Sequence, residues 1–553
     1  VKVPAFVSRL ITPLRENLAL SIAIACLWMI TLAPIWEPRF LPLLDLPNHL
    51  DAIAIWHRFN DPSWGYQRFY RLNLLPLPYW GYFFPVHMLS YLMPIEVANK
   101  VYLSAYALAL PLGAMLLARR TGRSPWLALL VFPLVFNFNF SLGFITFCGG
   151  MTLMLYAFVV LDRFLEAPSR GRALALFLLT TSLYTTHVLP WLFFGVAALP
   201  WLFFYGLRPR RMLAAAALML PSVALGAFAF NASRDGSTHV QAGPLAFHAK
   251  FEQPMASIEQ AIHRVLATWP GTKPLYLMLG FAFVWLLLMA TPRADRPSEQ
   301  TRGFPYRIEF LCALAALAVL ALPAHLLKPV DLWMIGGRFV SVAALFLVLL
   351  PRGPIVGRGS GARSLLLIVA VGLNVVYVND LARQWRRFDH KVASVRRLME
   401  LVPRGSSTLT LTLNDLSDSS VDPQAVPFVQ FHAYPQFFAG GFDPWALNTG
   451  FPMVARPEAK LPSPRWKQPR QFRFEQHGIY YDYILTHSES FDHQLFGPDD
   501  AGRAPLLKQD GDWRLYQVRE PVQPPQPDTN EPLEVLSPNA EPTPDPIPPT
   551  TAP

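Results

Sequence analysis

Cysteine is scarce in this chain, charge is thin, and internal repetition is missing. The three cysteines among 553 residues, Cys26, Cys148 and Cys312, lie inside apolar runs with no close pairing and no metal-type spacing, which excludes a disulfide framework and a zinc site. Only 15% of the residues are charged while 52% are hydrophobic. That balance excludes an ordinary soluble enzyme and points to a polytopic membrane protein. A nucleic-acid partner is excluded as well, because the net charge of +10 comes from short basic clusters set between apolar runs rather than from one patch. No repeat of fixed period is present, which argues against an inverted-repeat transporter.

What the chain does have is apolar runs, near 18–34, 98–118, 126–141, 144–161, 173–186, 188–207, 212–230, 274–291, 308–325, 338–351 and 364–379. Each reaches or approaches the roughly 20 residues a helix needs to cross hydrocarbon. Lys2, Arg9 and Arg15 before the first run imitate a signal peptide, but no small-residue cleavage site follows, so a retained first helix is expected. With the N-terminus inside and every run crossing once, Arg119-Arg120-Arg123, Arg163-Arg170-Arg172, Arg208-Arg210-Arg211, Arg293-Arg296-Arg302-Arg307 and Arg352-Arg358-Arg363 all fall inside. Agreement with the positive-inside rule supports about eleven spans, since dropping one misplaces every later cluster.

The apolar stretch Pro78 to Met93 would break this agreement if it crossed, so it is assigned to an interfacial helix on the outer surface, rich in Tyr, Trp and Phe. Asn48 to Phe59 forms its companion, with Leu50, Ile53, Ala54 and His57 at helical spacing and Pro47 favouring a helix start. After Asn379 an amphipathic helix is expected over Asp380 to Leu401. Strands follow at Ser407 to Leu413, Tyr481 to Thr486 and Trp513 to Val518. The expected fold is therefore mainly α: a membrane helical bundle over 1–379, a small extracytoplasmic α/β domain over 380–520, and a disordered Pro-rich tail over 521–553.

The polar residues beside the spans are the candidates for chemistry. In Leu43-Leu44-Asp45-Leu46-Pro47-Asn48-His49-Leu50-Asp51 a carboxylate with apolar neighbours lies just outside the first span. Asp45 there can serve as a general base toward a hydroxyl. His49, four residues on, is placed to orient the acceptor or tune Asp45, and Asp51 to assist or bind a sugar hydroxyl. The competing reading is that Asp45 caps the helix that Pro47 opens.

An odd-numbered bundle with two interfacial helices in its first outer loop, an Asp near the start of that loop and a C-terminal α/β domain together resemble the GT-C membrane glycosyltransferases. Asp45-Leu46-Pro47-Asn48-His49-Leu50 is similar to the Asp-x-Pro-x-His-Leu variant of bacterial members. The resemblance covers about residues 10–520. It implies Asp45 as catalytic base and a polyprenyl phosphate or pyrophosphate sugar donor, with a glycan, lipid or protein acceptor at the outer face of a bacterial inner membrane. The Asp-Glu or Glu-x-Asp pairs of several branches are missing, so no cofactor is specified and a divalent cation is left open.

Such a donor requires cations at the outer helix ends to stabilise a phosphate leaving group. Arg338, in Ile335-Gly336-Gly337-Arg338-Phe339, opens the tenth span and fits, with His325 and Lys328 flanking the same loop; snorkelling by a long basic side chain is the alternative. His187 lies at the turn between the fifth and sixth spans, where a helix-end histidine bonded to backbone competes with a substrate contact. In Phe136 to Phe144, Asn137 and Asn139 among aromatics are suited to a sugar, though an aromatic belt explains the same pattern. His239, His248, Lys250, Glu252 and His263 in the loop 231–273 match no metal spacing and read as a solvated loop, while His432, Asp443, His477, His487 and His493 form no recognisable triad. Two further functions compete: a transporter or flippase of a lipid-linked saccharide, and a non-catalytic cell-envelope assembly subunit.

Overall fold

The structure is a computed structural model that describes residues 17–74, 78–204, 208–232, 248–291, 306–328, 332–356, 360–413, 418, 421, 424–447, 451–456, 459–488, 495–496, 500 and 502–522. The tail from 523 onward, the basic N-terminal residues, His239 and His493 lie outside them. The helices used below are α1 (Leu18–Thr31), α2 (Leu46–Arg58), α3 (Trp80–Leu89), α4 (Ile95–Arg120), α5 (Ile145–Glu166), α6 (Arg170–Thr186), α7 (Val188–Phe204), α8 (Pro209–Ala232), α9 (Pro254–His263), α10 (Lys273–Ala290), α11 (Arg307–Ala321), α12 (Ile335–Val348), α13 (Gly361–Met399) and α14 (Ala433–Ala439). Among the described residues six helical segments, Leu18–Trp36, Ile95–Arg120, Ile145–Glu166, Pro209–Ala229, Lys273–Ala290 and Gly361–Met399, are long and apolar enough to cross a membrane. The protein has the fold of a multi-pass membrane protein.

Local chemistry sets the helix limits. Asn17 accepts a hydrogen bond from the Leu20 amide at 3.1 Å to start α1, and Ser169 does the same for the Arg172 amide at 3.3 Å to start α6. The run expected at 126–141 departs from α-helix: it forms a 3-10 helix over Pro125–Phe136 and a short turn over Phe138–Ser141. Pro133 inside it supplies no N–H to an α-helical ladder, which explains the difference. Helix α5 is buried along most of its length, whereas Leu213, Leu220 and Phe228 on α8 and Tyr276, Leu279 and Phe283 on α10 are exposed, as in a bundle whose outer helices face lipid.

Described arginines from four of the five basic clusters, Arg120, Arg123, Arg211, Arg307, Arg352 and Arg363 among them, lie at one end of the bundle. Asp162, fully buried, receives Arg120 and Arg307, and Trp201 donates to it at 3.0 Å. Glu309 pairs with Arg123 at 2.7 Å and with Arg352, and Arg363 donates to the carbonyls of Arg352 and Pro354. Read in the sequence as topology signals only, these side chains also lock that end, because a buried carboxylate persists where cations satisfy its oxygens.

At the opposite end sits the C-terminal region. Helix α13 has no break near 379; at 1.5 Å per residue it extends roughly 58 Å, enough to cross a bilayer and continue beyond it. The strands are β1 (Tyr70–Leu72), β2 (His248–Lys250), β3 (His325–Lys328), β4 (Leu332–Trp333), β5 (Thr408–Thr412), β6 (Met453–Ala455), β7 (Tyr483–His487), β8 (Leu506–Asp510) and β9 (Trp513–Gln517). Strands β5, β7, β9 and β8 form a sheet in that order, with β5 parallel to β7 and the other pairs antiparallel. Three of these strands were expected. The fourth, β8, is an exposed edge whose Leu506-Leu507-Lys508 does not alternate. Strand β1, in the loop after α1, pairs antiparallel with β6, so the first loop is stitched to the C-terminal region.

Candidate functional site

Asp45 is held by backbone. Its amide donates to the Leu142 carbonyl at 3.2 Å and the Leu44 amide to the Ser141 carbonyl at 3.1 Å, so the loop rests on the turn 141–144. Gly143 in that turn has φ +76°, and a Cβ there would stand 2.7 Å from the Asp45 nitrogen. Only glycine fits both demands. Asp45 occupies the N-cap position of α2, yet its side chain makes no capping hydrogen bond. The capping alternative is thereby removed, and a half-buried carboxyl is left available. Burial pushes it up to about 7, against the pull of Arg338 and then of Lys467.

Arg338, in the first turn of α12, lies with its guanidinium 3.9 Å over the Phe144 ring. Its Nη2 donates to the Trp333 carbonyl at 3.0 Å, and its Nη1 stands 3.1 Å from His187 Nε2. His187 Nδ1 accepts from the Leu189 amide at 3.1 Å, so in a neutral ring Nε2 carries the proton. Two donors therefore face each other, and Arg338 Nε is buried with no partner. A phosphate oxygen would accept from these groups, since guanidinium and N–H donors bond charged oxygens strongly. Asn139 fixes the arrangement by donating to the Arg338 carbonyl at 3.0 Å and to Ser341 Oγ at 2.8 Å. Tyr79, at φ 86°, lies beside His187 with ring centroids 5.4 Å apart and the rings tilted, a strained backbone of the kind that collects at functional sites.

His49 donates from Nε2 to the Gly143 carbonyl at 3.1 Å and stacks on Phe451 with centroids 5.4 Å apart. Burial pushes its imidazole down to about 4, more than the bond to Gly143 recovers. It is a neutral brace between the loop and the turn. Asp51 is fully buried and faces Asp443 and Arg58 rather than Asp45. Burial, then the Asp443 charge, hold its carboxyl well above the ordinary carboxylate range. Its placement gives no support to a contact with a sugar hydroxyl.

Asn48 donates to Gln430 Oε1 at 2.8 Å and accepts from the Leu447 amide at 3.1 Å. Gln430 Oε1 also lies 2.9 Å from His432 Nε2, while His432 Nδ1 lies 2.6 Å from Asp443 Oδ2. His432 and Asp443, expected to form no cluster, thus make a buried pair that ties the first turn of α2 to the C-terminal region.

The remaining candidates are placed as follows. Asn137 caps the turn at 138–141 and donates to the Leu134 carbonyl at 2.9 Å, and Phe136, Phe138 and Phe140 are buried. That stretch is scaffold, not an exposed sugar platform. His325 pairs in register with Lys250 and Trp333, and Lys328 with His248, on the three-stranded sheet β2-β3-β4. The side chain of Lys328 lies outside the described residues. The loop 231–273, read as solvated, contains β2 and the amphipathic helix α9, with Met255, Ile258 and Ile262 exposed. Sequence reasoning missed Tyr79, Lys467 and Phe451; the last two reach the site from more than 400 positions away. Among the described residues no group of three or more His, Cys, Asp or Glu side chains could hold a metal ion.

No protein-family model matches the sequence, and no curated protein matches it either. Solved structures do match. ArnT from Cupriavidus metallidurans bound to undecaprenyl phosphate aligns over 93% of this chain and 100% of its own, at 10% identity and a TM-score of 0.50. The apo state of the same protein aligns over 92% and 99%, at 9% identity and a TM-score of 0.47. The mycobacterial arabinofuranosyltransferase AftD aligns over 90% of this chain and 41% of its own, at 13% identity and a TM-score of 0.46. The first likeness is one of fold, and it bears out the expected layout: a helical bundle with a small C-terminal region of strands.

Proposed function

We propose that this protein is a bacterial inner-membrane glycosyltransferase that moves a sugar from a polyprenyl-phosphate-type donor to an acceptor hydroxyl at the outer face. The observation that carries this reading is Asp45, a carboxyl pushed up to about 7, within the field of Arg338, whose buried Nε has no partner and whose Nη1 meets His187 Nε2 rather than a charged oxygen. ArnT, which shares the fold, was solved with undecaprenyl phosphate bound, in keeping with such a donor. We take the arginine-locked end as cytoplasmic and the C-terminal region, about 380–520, as extracytoplasmic.

Asp45 takes the proton of the acceptor hydroxyl while that oxygen forms a bond to the anomeric carbon. The bond from that carbon to the donor phosphate breaks, its electron pair leaving with the phosphate oxygen, and the configuration inverts. Arg338 and His187 donate to the phosphate as its charge grows, in a site where few waters compete. His49 and Asn139 position the loop and α12. A base near 7 suits neutral pH, since it is largely free to accept a proton yet basic enough to draw one.

The test is transfer of label from a membrane pool of lipid-linked sugars by the reconstituted protein and its Asp45→Asn variant. Loss of transfer with normal insertion and no loss of thermal stability is expected; transfer by the variant at the wild-type rate refutes the assignment.

A further inference from the structure

A cleft of about 330 Å³, its open mouth included, lies where four parts of the chain meet at the end of the bundle that carries the C-terminal region. The loop after α1 supplies Arg39 and Phe40, the first turns of α4 supply Glu96, Asn99 and Lys100, and α14 supplies Tyr434 and Phe438. The fourth wall is Leu46 and Leu50 of α2, and Leu46 directly follows Asp45. Neither Arg338 nor His187 lines it, nor does the buried chain from Asn48 to Asp443.

Two of its side chains are buried with polar groups left over. Asn99 is 1% exposed, and its Oδ1 accepts from the Tyr82 hydroxyl at 2.8 Å. The amide nitrogen is the atom that remains, and it donates to no described residue. Tyr434 is 2% exposed, its ring set edge-on against Phe40 with centroids 5.0 Å apart and stacked by Phe438 at 6.0 Å, yet its hydroxyl has no hydrogen-bond partner among the described residues. Buried polar groups are nearly always paired, so an amide N–H and a phenol that share one cleft and lack partners imply an entering group. Arg39 and Glu96 approach each other only to 3.9 Å and are partly exposed, so a guanidinium and a carboxylate are available beside them.

The balance of charge selects the ligand. The Lys100 ammonium donates to the Pro38 and Trp36 carbonyls at 2.6 and 3.5 Å, which ties the loop to α4. Glu96 and Asp389, which accepts from the Phe40 amide at 2.7 Å, offset the charges of Arg39 and Lys100. An anion would meet two carboxylates, and a cation would meet two basic groups and the Asn99 N–H. A neutral group that both donates and accepts finds partners on every side. The narrow floor admits one hydroxyl rather than a whole ring, and half-buried Phe438 adds apolar surface that the C–H face of a sugar covers. We propose that this cleft is a carbohydrate subsite: it takes a neutral sugar of the acceptor, one hydroxyl reaching Asn99 and Tyr434 and its neighbours held by Arg39 and Glu96, and so presents the acceptor beside the start of α2. Sugar binding is a property of the cleft alone; the presenting role rests on the reading of Asp45 as base.

Ligand-observed NMR tests it, with the methyl glycosides of glucose, galactose, mannose and N-acetylglucosamine and the full-length protein in a detergent that has no sugar headgroup. Wild type should bind at least one of them. Tyr434→Phe, Arg39→Gln and Glu96→Gln should each weaken that binding by about three- to tenfold, while Asp45→Asn leaves it unchanged. Tyr434→Phe removes a hydroxyl that holds nothing in the fold, so its thermal midpoint should equal that of wild type and its loss of binding reports the cleft. Binding of none of these glycosides, or equal affinity in wild type and all three cleft variants, overturns the proposal. So does binding that Asp45→Asn abolishes and the cleft variants keep, because the sugar then sits in the Asp45 pocket. Label transfer that survives Asp45→Asn would overturn the presenting role alone, while the glycoside measurement still decides the cleft.

Discussion

Replacing Asp45 by Asn should abolish transfer and yet stabilise the protein, by an amount that depends on pH. Burial raises the carboxyl from 3.8 to about 7. A carboxyl whose pKa is higher in the fold than in the unfolded chain binds its proton more tightly when folded. Its ionisation therefore costs stability as pH rises from about 4 to about 7. At 1.36 kcal/mol per pKa unit the full cost is roughly 4 kcal/mol above pH 7, and roughly 1.6 kcal/mol at pH 5. Asparagine cannot ionise and escapes this cost. The thermal midpoint of the variant in detergent should exceed that of wild type by more at pH 8 than at pH 5, and the two should converge near pH 4. Subtracting wild type from variant at each pH cancels the other titrating groups. A difference that is constant with pH would refute the claim that Asp45 is perturbed, and destabilisation by Asn at pH 8 would make Asp45 a structural anchor.

Arg338→Gln and His187→Ala should each weaken undecaprenyl phosphate binding, the arginine change by tenfold or more, from the roughly 1.5–3 kcal/mol of a charged hydrogen bond; calorimetry showing wild-type affinity would remove both from the site. Gly143→Ala should cost about 2 kcal/mol or more and cut transfer, because φ +76° and a Cβ 2.7 Å from the Asp45 nitrogen cannot both be accommodated; an unaltered melting curve would contradict it. For the wild-type enzyme, kcat/KM should fall on the acid side of a limb near pH 7, where free-enzyme Asp45 takes up its proton; a limb near pH 4 would point to an unperturbed carboxyl.

Asp45, Arg338 and His187 stood out in the sequence as candidates because each is an ionisable group set against apolar runs, where its cost has to be met by some purpose. The mainly helical fold and three of the four sheet strands were legible because period and length are local properties, whereas only six of the described helices are long and apolar enough to cross a membrane. The residues that complete the site were not. Lys467 and Phe451 come from the C-terminal region, His432 and Asp443 are two of many polar residues there, and β1 and β6 pair across nearly 400 positions. Pattern along the chain carries no information about such contacts. The run Phe136 to Phe144 misled in the opposite direction. Its amides and aromatics have the chemistry of a sugar platform, but their geometry supports the loop that carries Asp45: Asn139 fastens α12 and Gly143 admits Asp45. The candidate site thus draws on three bodies: the bundle brings the guanidinium, the first loop brings the carboxyl, and the C-terminal region braces that loop through Phe451 against His49. Because β1 and β6 and the chain from Asn48 to Asp443 join the last two, a change that loosens the C-terminal region should act on Asp45 before it unfolds the bundle.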